Sequence, residues 1–266
     1  MTKKVFIVGA SSDIGFAIAK HWLKQKYVIY GTYREKNFNT DQLLTLGAKL
    51  ICLDLDSECS RESFSRIVSE NKFLWDYLII CPGTMLPIGN FAEVKFDDWK
   101  SSFDINFFGP MWVTQKLLPS RNRSRLGSLL AFVAGGGVNS APIGFSSYVI
   151  GKLALIKATE YLDAEVSDLR TLIFGPGWIN TNIHNEVLHH GSDANYAVTE
   201  TNRRLKENDF TPMESVLSFL DWAIQQDKNI LNGRNFSSRD DEVKNDNLIM
   251  KLIKDPNYFK LRRLSS

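Results

Sequence analysis

The apolar positions of the chain fall into short runs separated by helical stripes. Lys4 to Val8 is a five-residue β run, followed by Gly9-Ala10-Ser11-Ser12-Asp13-Ile14-Gly15 and then a stripe through Phe16, Ile18, Ala19, Trp22 and Leu23 at helical spacing. Tyr27 to Tyr33, Lys49 to Leu53 and Asp76 to Cys81 read as the second, third and fourth strands. The second half repeats the alternation, with a helix from about Asp97 to Leu117, a strand at Gly127 to Val133, a helix at Ser146 to Val166 and a strand at Arg170 to Phe174. Parallel neighbours need crossovers, and crossovers are right-handed, so the pattern predicts an α/β fold: a doubly wound, mostly parallel sheet with helices on both faces. Nothing in the chain reads as a linker, a repeat or a low-complexity stretch, which predicts one domain over residues 1–266. From about Asn245 onward, Leu248, Ile249, Leu252 and Ile253 recur at helical spacing and predict a tail helix within 245–266, packed on the body or on a partner subunit.

Composition changes this picture little. With 44% apolar residues, 266 positions suffice for a full core. Thirty-two basic against thirty acidic side chains leave a net charge of +2, and no basic stripe with interleaved aromatics occurs, so nucleic acid is not expected as a partner. No apolar stretch approaches the ~18 residues of a membrane span, and the N-terminus lacks a secretory signal, so a cytoplasmic, membrane-free protein is expected. Cys52, Cys59 and Cys81 form no CxxC pair, suit a reducing compartment and predict no metal site.

Candidate chemistry begins at the first turn. A glycine turn between a first strand and a first helix lets backbone N–H groups approach a pyrophosphate at the helix N-terminus, which makes Gly9, Ser11, Ser12, Asp13, Ile14 and Gly15 candidates for cofactor contact. The spacing is Gly9-x5-Gly15 rather than GxGxxG, and the same residues also read as a serine cap on an ordinary helix. An acid normally ends the second strand where a 2′-hydroxyl is bound; here Tyr33 and Arg34 stand there, which suits a 2′-phosphate and favours NADP(H), with NAD(H) possible and a solvated arginine the plainer reading. Tyr148 and Lys152 lie four apart on one face of a helix. An ammonium beside a phenol, with its ordinary pKa near 10, is expected to stabilise the phenolate and pull that value down.

Taken in order, these segments resemble the short-chain dehydrogenase/reductase family in its single-domain branch, over roughly residues 3 to 240. The resemblance implies a Rossmann-type fold and an NAD(P)-dependent oxidoreductase that interconverts a carbonyl and an alcohol. It also implies roles. Gly9 to Gly15 would be the cofactor turn, with Asp13 in place of a glycine; Asp54 and Leu55 would contact adenine; Gly83, in Ile80-Cys81-Pro82-Gly83, would belong to the family's Asn-Asn-Ala-Gly segment. Asn106 would kink its helix and hold a proton-relay water. Tyr148 and Lys152 would be the active pair and contact the cofactor as well, Lys152 at the nicotinamide ribose. In the loop with Gly177 and Ile179, the Pro176 ring would flank and Thr181 would bond the nicotinamide end. One departure stands out. The family's serine, about 13 residues before the tyrosine, is absent from Phe132-Val133-Ala134-Gly135-Gly136, leaving Ser140 as the candidate replacement, with Ser147 or the substrate itself as alternatives. Loss of such an oxyanion donor can cost 10²-fold or more.

Residues 181–211 occupy the place of the family's substrate lid and carry His184, His189, His190, Arg203, Arg204 and Lys206. A basic lid would suit a phosphorylated or nucleotide-linked substrate, a solvated helix face being the duller reading. Gly175-Pro176-Gly177-Trp178 and Phe259-Lys260-Leu261-Arg262-Arg263 look similar to family members among bacterial surface-polysaccharide enzymes, which implies a sugar or nucleotide-sugar and agrees with that lid. Met85, Phe145 and Trp178 are expected to line the pocket. The family resemblance further implies a homodimer or homotetramer. A dinucleotide sensor that has lost catalysis is the competing reading, and Asn106, Tyr148, Lys152 and Thr181 together argue against it.

Overall fold

The computed structural model describes residues 2–71, 73–123, 127–134, 138, 141–190 and 196–263, with backbone alone for His190, Tyr196 and Ala197. Its elements run β1 (Lys4–Val8), α1 (Asp13–Lys24), β2 (Val28–Tyr33), α2 (Phe38–Thr45), β3 (Lys49–Cys52), α3 (Glu58–Asn71), β4 (Tyr77–Ile80), α4 (Phe96–Phe103), a π-helical turn (Asp104–Phe108), α5 (Gly109–Leu117), β5 (Ser128–Val133), α6 (Ser146–Glu165), β6 (Leu169–Gly175), α7 (Ile183–His190), α8 (Tyr196–Glu207), α9 (Met213–Ala223), α10 (Lys228–Leu231), β7 (Arg234–Ser237) and α11 (Asp246–Lys254).

All strands belong to one parallel sheet of order β3-β2-β1-β4-β5-β6-β7. The chain winds outward from β1 to β3 and then returns to place β4 on the other side of β1. The connections therefore diverge between β1 and β4, and a cleft opens beyond their C-terminal ends. Both sheet faces are covered, which is why the central strands read as unbroken apolar runs. Along β1, Val5 and Ile7 enter one core with Trp22 of α1 and Phe219 of α9, whereas Phe6 and Val8 enter the other with Phe64 of α3 and Val113 of α5. The two-residue period of a strand divides the side chains between these two layers.

The predicted strands and helices are present, with ends shifted by a residue or so. Three features differ from the expectation. The helix read as continuous from Asp97 to Leu117 is interrupted by the π-turn. β7 was not anticipated: Arg-Asn-Phe-Ser is a poor apolar run, but the Arg234 guanidinium is fully buried and donates to the carbonyls of Asn229, Ile230, Leu252, Asp255 and Tyr258. Those bonds satisfy a buried charge and clamp α10, α11 and the tail around the strand. The tail helix stops at Lys254, and residues 255–261 continue as turns across the sheet end, with Leu252 buried against the body.

Candidate active site

The cleft at the strand ends has a volume of about 1700 Å³. One end of it starts from the first turn. Gly9 takes φ of +76°, a conformation available to glycine at no cost, and its N–H donates to Thr32 Oγ1 at 2.9 Å. Ser12 caps α1: its Oγ accepts from Gly15 N at 3.2 Å and donates to Gly9 O at 2.7 Å. A Cβ on Gly15 would sit 2.2 Å from Gly9 O, so only glycine lets the helix start this close beneath the turn. Gly9, Ser11, Ser12, Asp13 and Ile14 line the cleft, whereas Gly15 lies under it as a packing residue.

The donor set fits a dinucleotide: a glycine turn closed by a capped helix N-terminus favours an anion. Asp13 is the discordant charge, and it has a partner. Its carboxylate accepts from Asn182 N at 2.6 Å and lies 3.4 Å from Asn182 Nδ2, so the acid ties the turn to the start of the lid. At the rim beyond β2 Arg34 lines the cleft, is 69% exposed at its side chain, and pairs with neighbouring Glu35 at 3.3 Å. Asn37 and Asn39 donate to Ser11 O and brace this rim. Asp54 and Leu55 also line the cleft, and Asp54 Oδ1 accepts from Asp56 N at 3.0 Å.

At the other end the π-turn turns Asn106 fully inward; such turns recur at functional sites because they redirect one side chain out of helical register. Asn106 Nδ2 donates to Thr84 O and Ser102 O, both at 2.9 Å, and to Ser102 Oγ at 3.2 Å, and its Oδ1 accepts from Thr84 N at 3.2 Å. Asn106 therefore lies behind the cleft wall rather than in it, and its amide is committed to pinning the loop after β4. Lys152 is buried and donates to Pro82 O at 3.0 Å in the same loop. The loop passes so close that a Cβ on Gly83 would lie 2.9 Å from Lys152 Nζ and 3.1 Å from Asn106 Oδ1. Gly83, Tyr148 and Lys152 line the cleft together, with Lys152 Nζ 5.7 Å from the centroid of the Tyr148 ring.

The electrostatics correct the expected sign of the tyrosine shift. Burial, reinforced by the Glu186 carboxylate, pushes the Tyr148 phenol up to about 12 rather than down. Burial also lowers Lys152 to about 8, with nearby Cys81 opposing that shift. Desolvation penalises both charged forms and outweighs any pairwise attraction.

Pro176, Gly177, Ile179 and Thr181 line the wall after β6, and Gly177, at φ of +77°, leaves no room for a Cβ beside Thr211 Oγ1, 2.4 Å away. Met85, Phe145 and Trp178 line the cleft as expected. Ser140 lies outside the described residues. Ser147 is buried, without a hydrogen-bond partner among them, and does not reach the cleft.

The segment expected to be the lid folds as α7 and α8, seated on α6 by a small apolar cluster of Phe145, Val149, Val187 and Val198. Its charges are largely spent on one another. Arg203 pairs with Glu200, Glu207 and Asp209, and Arg204 with Glu200 and Asp209. Arg204 also lies over Trp178, 4.5 Å from the ring centroid, and His184 stacks on the same ring at 4.8 Å. Burial keeps His184 below its ordinary pKa; its bond to Ile179 O opposes this and Arg204 adds to it. Sequence reasoning missed Glu186. From α7 its Oε2 accepts from Thr84 Oγ1 at 3.0 Å and Met85 N at 2.9 Å.

Among the described residues no group of three or more His, Cys, Asp or Glu side chains is arranged to hold a metal, and no helix is long and apolar enough to cross a membrane.

The profile of the short chain dehydrogenase family matches residues 3–191. The chain is 29% identical over 182 residues to a 3-ketodihydrosphingosine reductase of Bacteroides thetaiotaomicron, covering 66% of this chain and 64% of that protein, so it spans less than two thirds of that relative's length. It is 28% identical over 191 residues to an oxidoreductase of Staphylococcus aureus, covering 69% of this chain and 81% of the other. Among solved structures, a short-chain dehydrogenase/reductase from Saccharomyces cerevisiae superposes with a TM-score of 0.78 at 19% identity, over 92% of this chain and 98% of that one. One from Burkholderia multivorans with bound NADP gives 0.67 at 20% identity, over 90% and 97%.

Proposed function

Because this chain belongs to the short-chain dehydrogenase family and is an oxidoreductase, we propose that it reduces a small-molecule carbonyl to an alcohol, with Tyr148 as the proton donor and NADP(H) preferred over NAD(H). The observation that carries the reading is the joint placement of Tyr148 and Lys152 in one cleft with the capped glycine turn at its far end. When bound, the dinucleotide supplies or accepts the hydride; the protein supplies orientation and proton handling.

A phenol held near 12 is protonated at neutral pH, which equips it to donate to a developing alkoxide. Lys152, anchored by Pro82 O, places an ammonium beside the ring that favours the phenolate left behind. Asn106 acts as a positioning residue, fixing the Thr84 loop that forms the cleft floor. Arg34, exposed on the adenosine rim and, among the described residues, ion-paired only with exposed Glu35, supports recognition of a 2′-phosphate, and the neighbour solved with bound NADP is consistent with this.

The name of the Bacteroides relative agrees with ketone reduction. A sugar or nucleotide-sugar substrate rests on a loose resemblance of Gly175 to Trp178 and Phe259 to Arg263, and the internal pairing of Arg203 and Arg204 weakens the support it had from the lid cations. The sensor reading is not favoured, since a pure binder needs no tyrosine and lysine set together at the far end of the cleft. The aromatic strip of Phe91, Phe96, Trp99, Phe103 and Phe108 on and beside α4 and α5, with Phe91 67% and Phe96 68% exposed, supports assembly as a homodimer or homotetramer. Free cysteines and the sequence composition support a cytoplasmic location.

Fluorescence titration with NADPH and NADH, followed by turnover of a ketone panel by wild type and Tyr148→Phe, tests the proposal. Tighter binding of NADPH, with turnover cut about 10²-fold or more in the variant and binding retained, is the expected result. Unchanged turnover in Tyr148→Phe would remove the tyrosine from the mechanism.

A further inference from the structure

Glu186 is a carboxylate in the reacting end of the cleft, on a wall that is otherwise largely apolar around Met85, Phe145 and Val187. Its Oε2 is fully used, accepting from Thr84 Oγ1 and Met85 N. Among the described residues its Oε1 makes no hydrogen bond, and no lysine, arginine or histidine forms an ion pair with it. Two cations that line the same cleft are engaged elsewhere: Lys152 donates to Pro82 O, and Arg204 is taken up by Glu200 and Asp209. Because Glu186 influences Tyr148 electrostatically, its unpaired charge is felt where the proton is delivered. A partly desolvated carboxylate oxygen of this kind is satisfied by a donor, best a charged one.

We propose that Glu186 is the specificity-determining residue of the lid: one oxygen docks α7 on the Thr84–Met85 loop, and the other receives a hydrogen-bond donor of the substrate, an ammonium or hydroxyl close to the reactive carbonyl. The inference rests on the assignment of Tyr148 as proton donor in ketone reduction and narrows its substrate class. Substrates bearing a carboxylate or phosphate at that position are repelled by the same charge. The apolar walls take the remainder of the molecule. A site built to receive a donor discriminates strongly against an analogue lacking it, because the site's own polar group is then left buried and unpaired.

The test uses the full chain with NADPH and four ketones matched in their apolar part, carrying at the α-carbon an amino group, a hydroxyl, hydrogen only, or a carboxylate. Wild type is expected to reduce the amino or hydroxy ketone at least about tenfold more efficiently than the plain ketone, and the acid least, with the better of the first two identifying the donor. Glu186→Gln keeps an oxygen for Thr84 and Met85 but turns the other position into a donor. In that variant the preference for the amino or hydroxy ketone over the plain one is expected to collapse by about tenfold through KM, separately from the change in kcat common to all four ketones that follows from removing a charge near Tyr148. Equal handling of the amino, hydroxy and plain ketones by wild type, or an equal loss on all four in Glu186→Gln, would overturn the inference.

Failure of the underlying mechanism reads differently: turnover that survives Tyr148→Phe, or no turnover of any ketone. In that event calorimetric binding of the matched amino alcohol, plain alcohol and hydroxy acid to the NADPH-loaded protein still decides the role of Glu186. Tighter binding of the amino alcohol that is lost in Glu186→Gln supports it; equal binding of all three rejects it.

Discussion

The floor and the lid of the cleft are built on opposite plans. On the floor, Asn106 and Lys152 are buried and bonded to main-chain atoms of Pro82, Ser102 and Thr84, so the polar groups are fixed by backbone that cannot move without the sheet. In the lid, Arg203, Arg204, Glu200, Glu207 and Asp209 bind one another through flexible side chains, and a small apolar cluster seats the helices on α6. Side-chain pairs near water contribute little each, whereas buried bonds to backbone are costly to break. The floor is therefore the fixed half of the site, suited to the proton donor proposed there, and the α7–α8 segment is the half held by more easily exchanged contacts.

The fixed half of the site depends most on Lys152. Lys152→Met keeps length and apolar bulk but removes the charge, and reduction is expected to slow by about 10²-fold or more. Thermal stability should stay level or rise, because a desolvated cation is replaced by an apolar side chain. The pH profile gives a second readout. Lys152 is lowered to about 8, so it loses its proton as pH rises through that value; kcat for reduction should fall above pH about 8 in wild type and lose that limb in the variant. If the limb persists in Lys152→Met, it belongs to another group.

Gly83→Ala probes how tightly the floor is drawn. The new methyl would meet Lys152 Nζ at 2.9 Å and Asn106 Oδ1 at 3.1 Å, both held from behind. Turnover should drop about tenfold, with cofactor affinity changed far less, since a small misplacement near the chemistry is costly. Steady-state kinetics beside NADPH titration separates the two. Equal losses in both would mean that the loop serves the cofactor rather than the proton donor.

What could be read in the sequence follows the same division. β1, the glycine turn and the Tyr148–Lys152 pair are local patterns of period or spacing, and they stand in the structure as expected. The contacts that define the lid join distant positions. Glu186 and Thr84 are 102 residues apart and Asp13 and Asn182 are 169 apart, and neither pairing leaves a trace in periodicity. The phenol shifts against the sequence expectation because spacing reveals that an ammonium is near, but not that both groups are desolvated. The charged stretch of the lid looked basic because arginine is conspicuous in a linear reading, while its carboxylate partners only become partners once α8 has folded.

Asp13→Ala acts at the joint between the halves. It removes the acceptor of the Asn182 N–H and an acid from the helix N-terminus where an anion is expected to sit. NADPH should bind a few-fold tighter, and hydrogen exchange at the start of α7 should quicken. Weaker binding instead would show that the tie between turn and lid matters more than the repulsion.

The smallest effect is expected where the charge density is highest. Arg203 touches three carboxylates, yet its side chain is 41% exposed, and salt and side-chain entropy erode such pairs. Arg203→Ala should lower Tm by less than about 2 °C in low salt and by less still in high salt, with turnover unchanged. Arg204 is the contrast: 15% exposed at its side chain, lining the cleft and packed over Trp178, it should cost more on truncation and raise KM. The shared partner gives a pH handle on both. Arg203, and then Arg204, hold the Glu200 carboxyl down at about 2 against desolvation that would raise it. A carboxylate with a depressed folded pKa stabilises above its ordinary value of 4.5 and loses that contribution as pH falls toward about 2. Exchange in α8 should therefore accelerate below pH about 4.5, and less so in Arg203→Ala, where much of the shift is already gone. An acid response of equal size in both proteins would show that the lid is held by its apolar cluster, with the arginine network contributing nothing measurable.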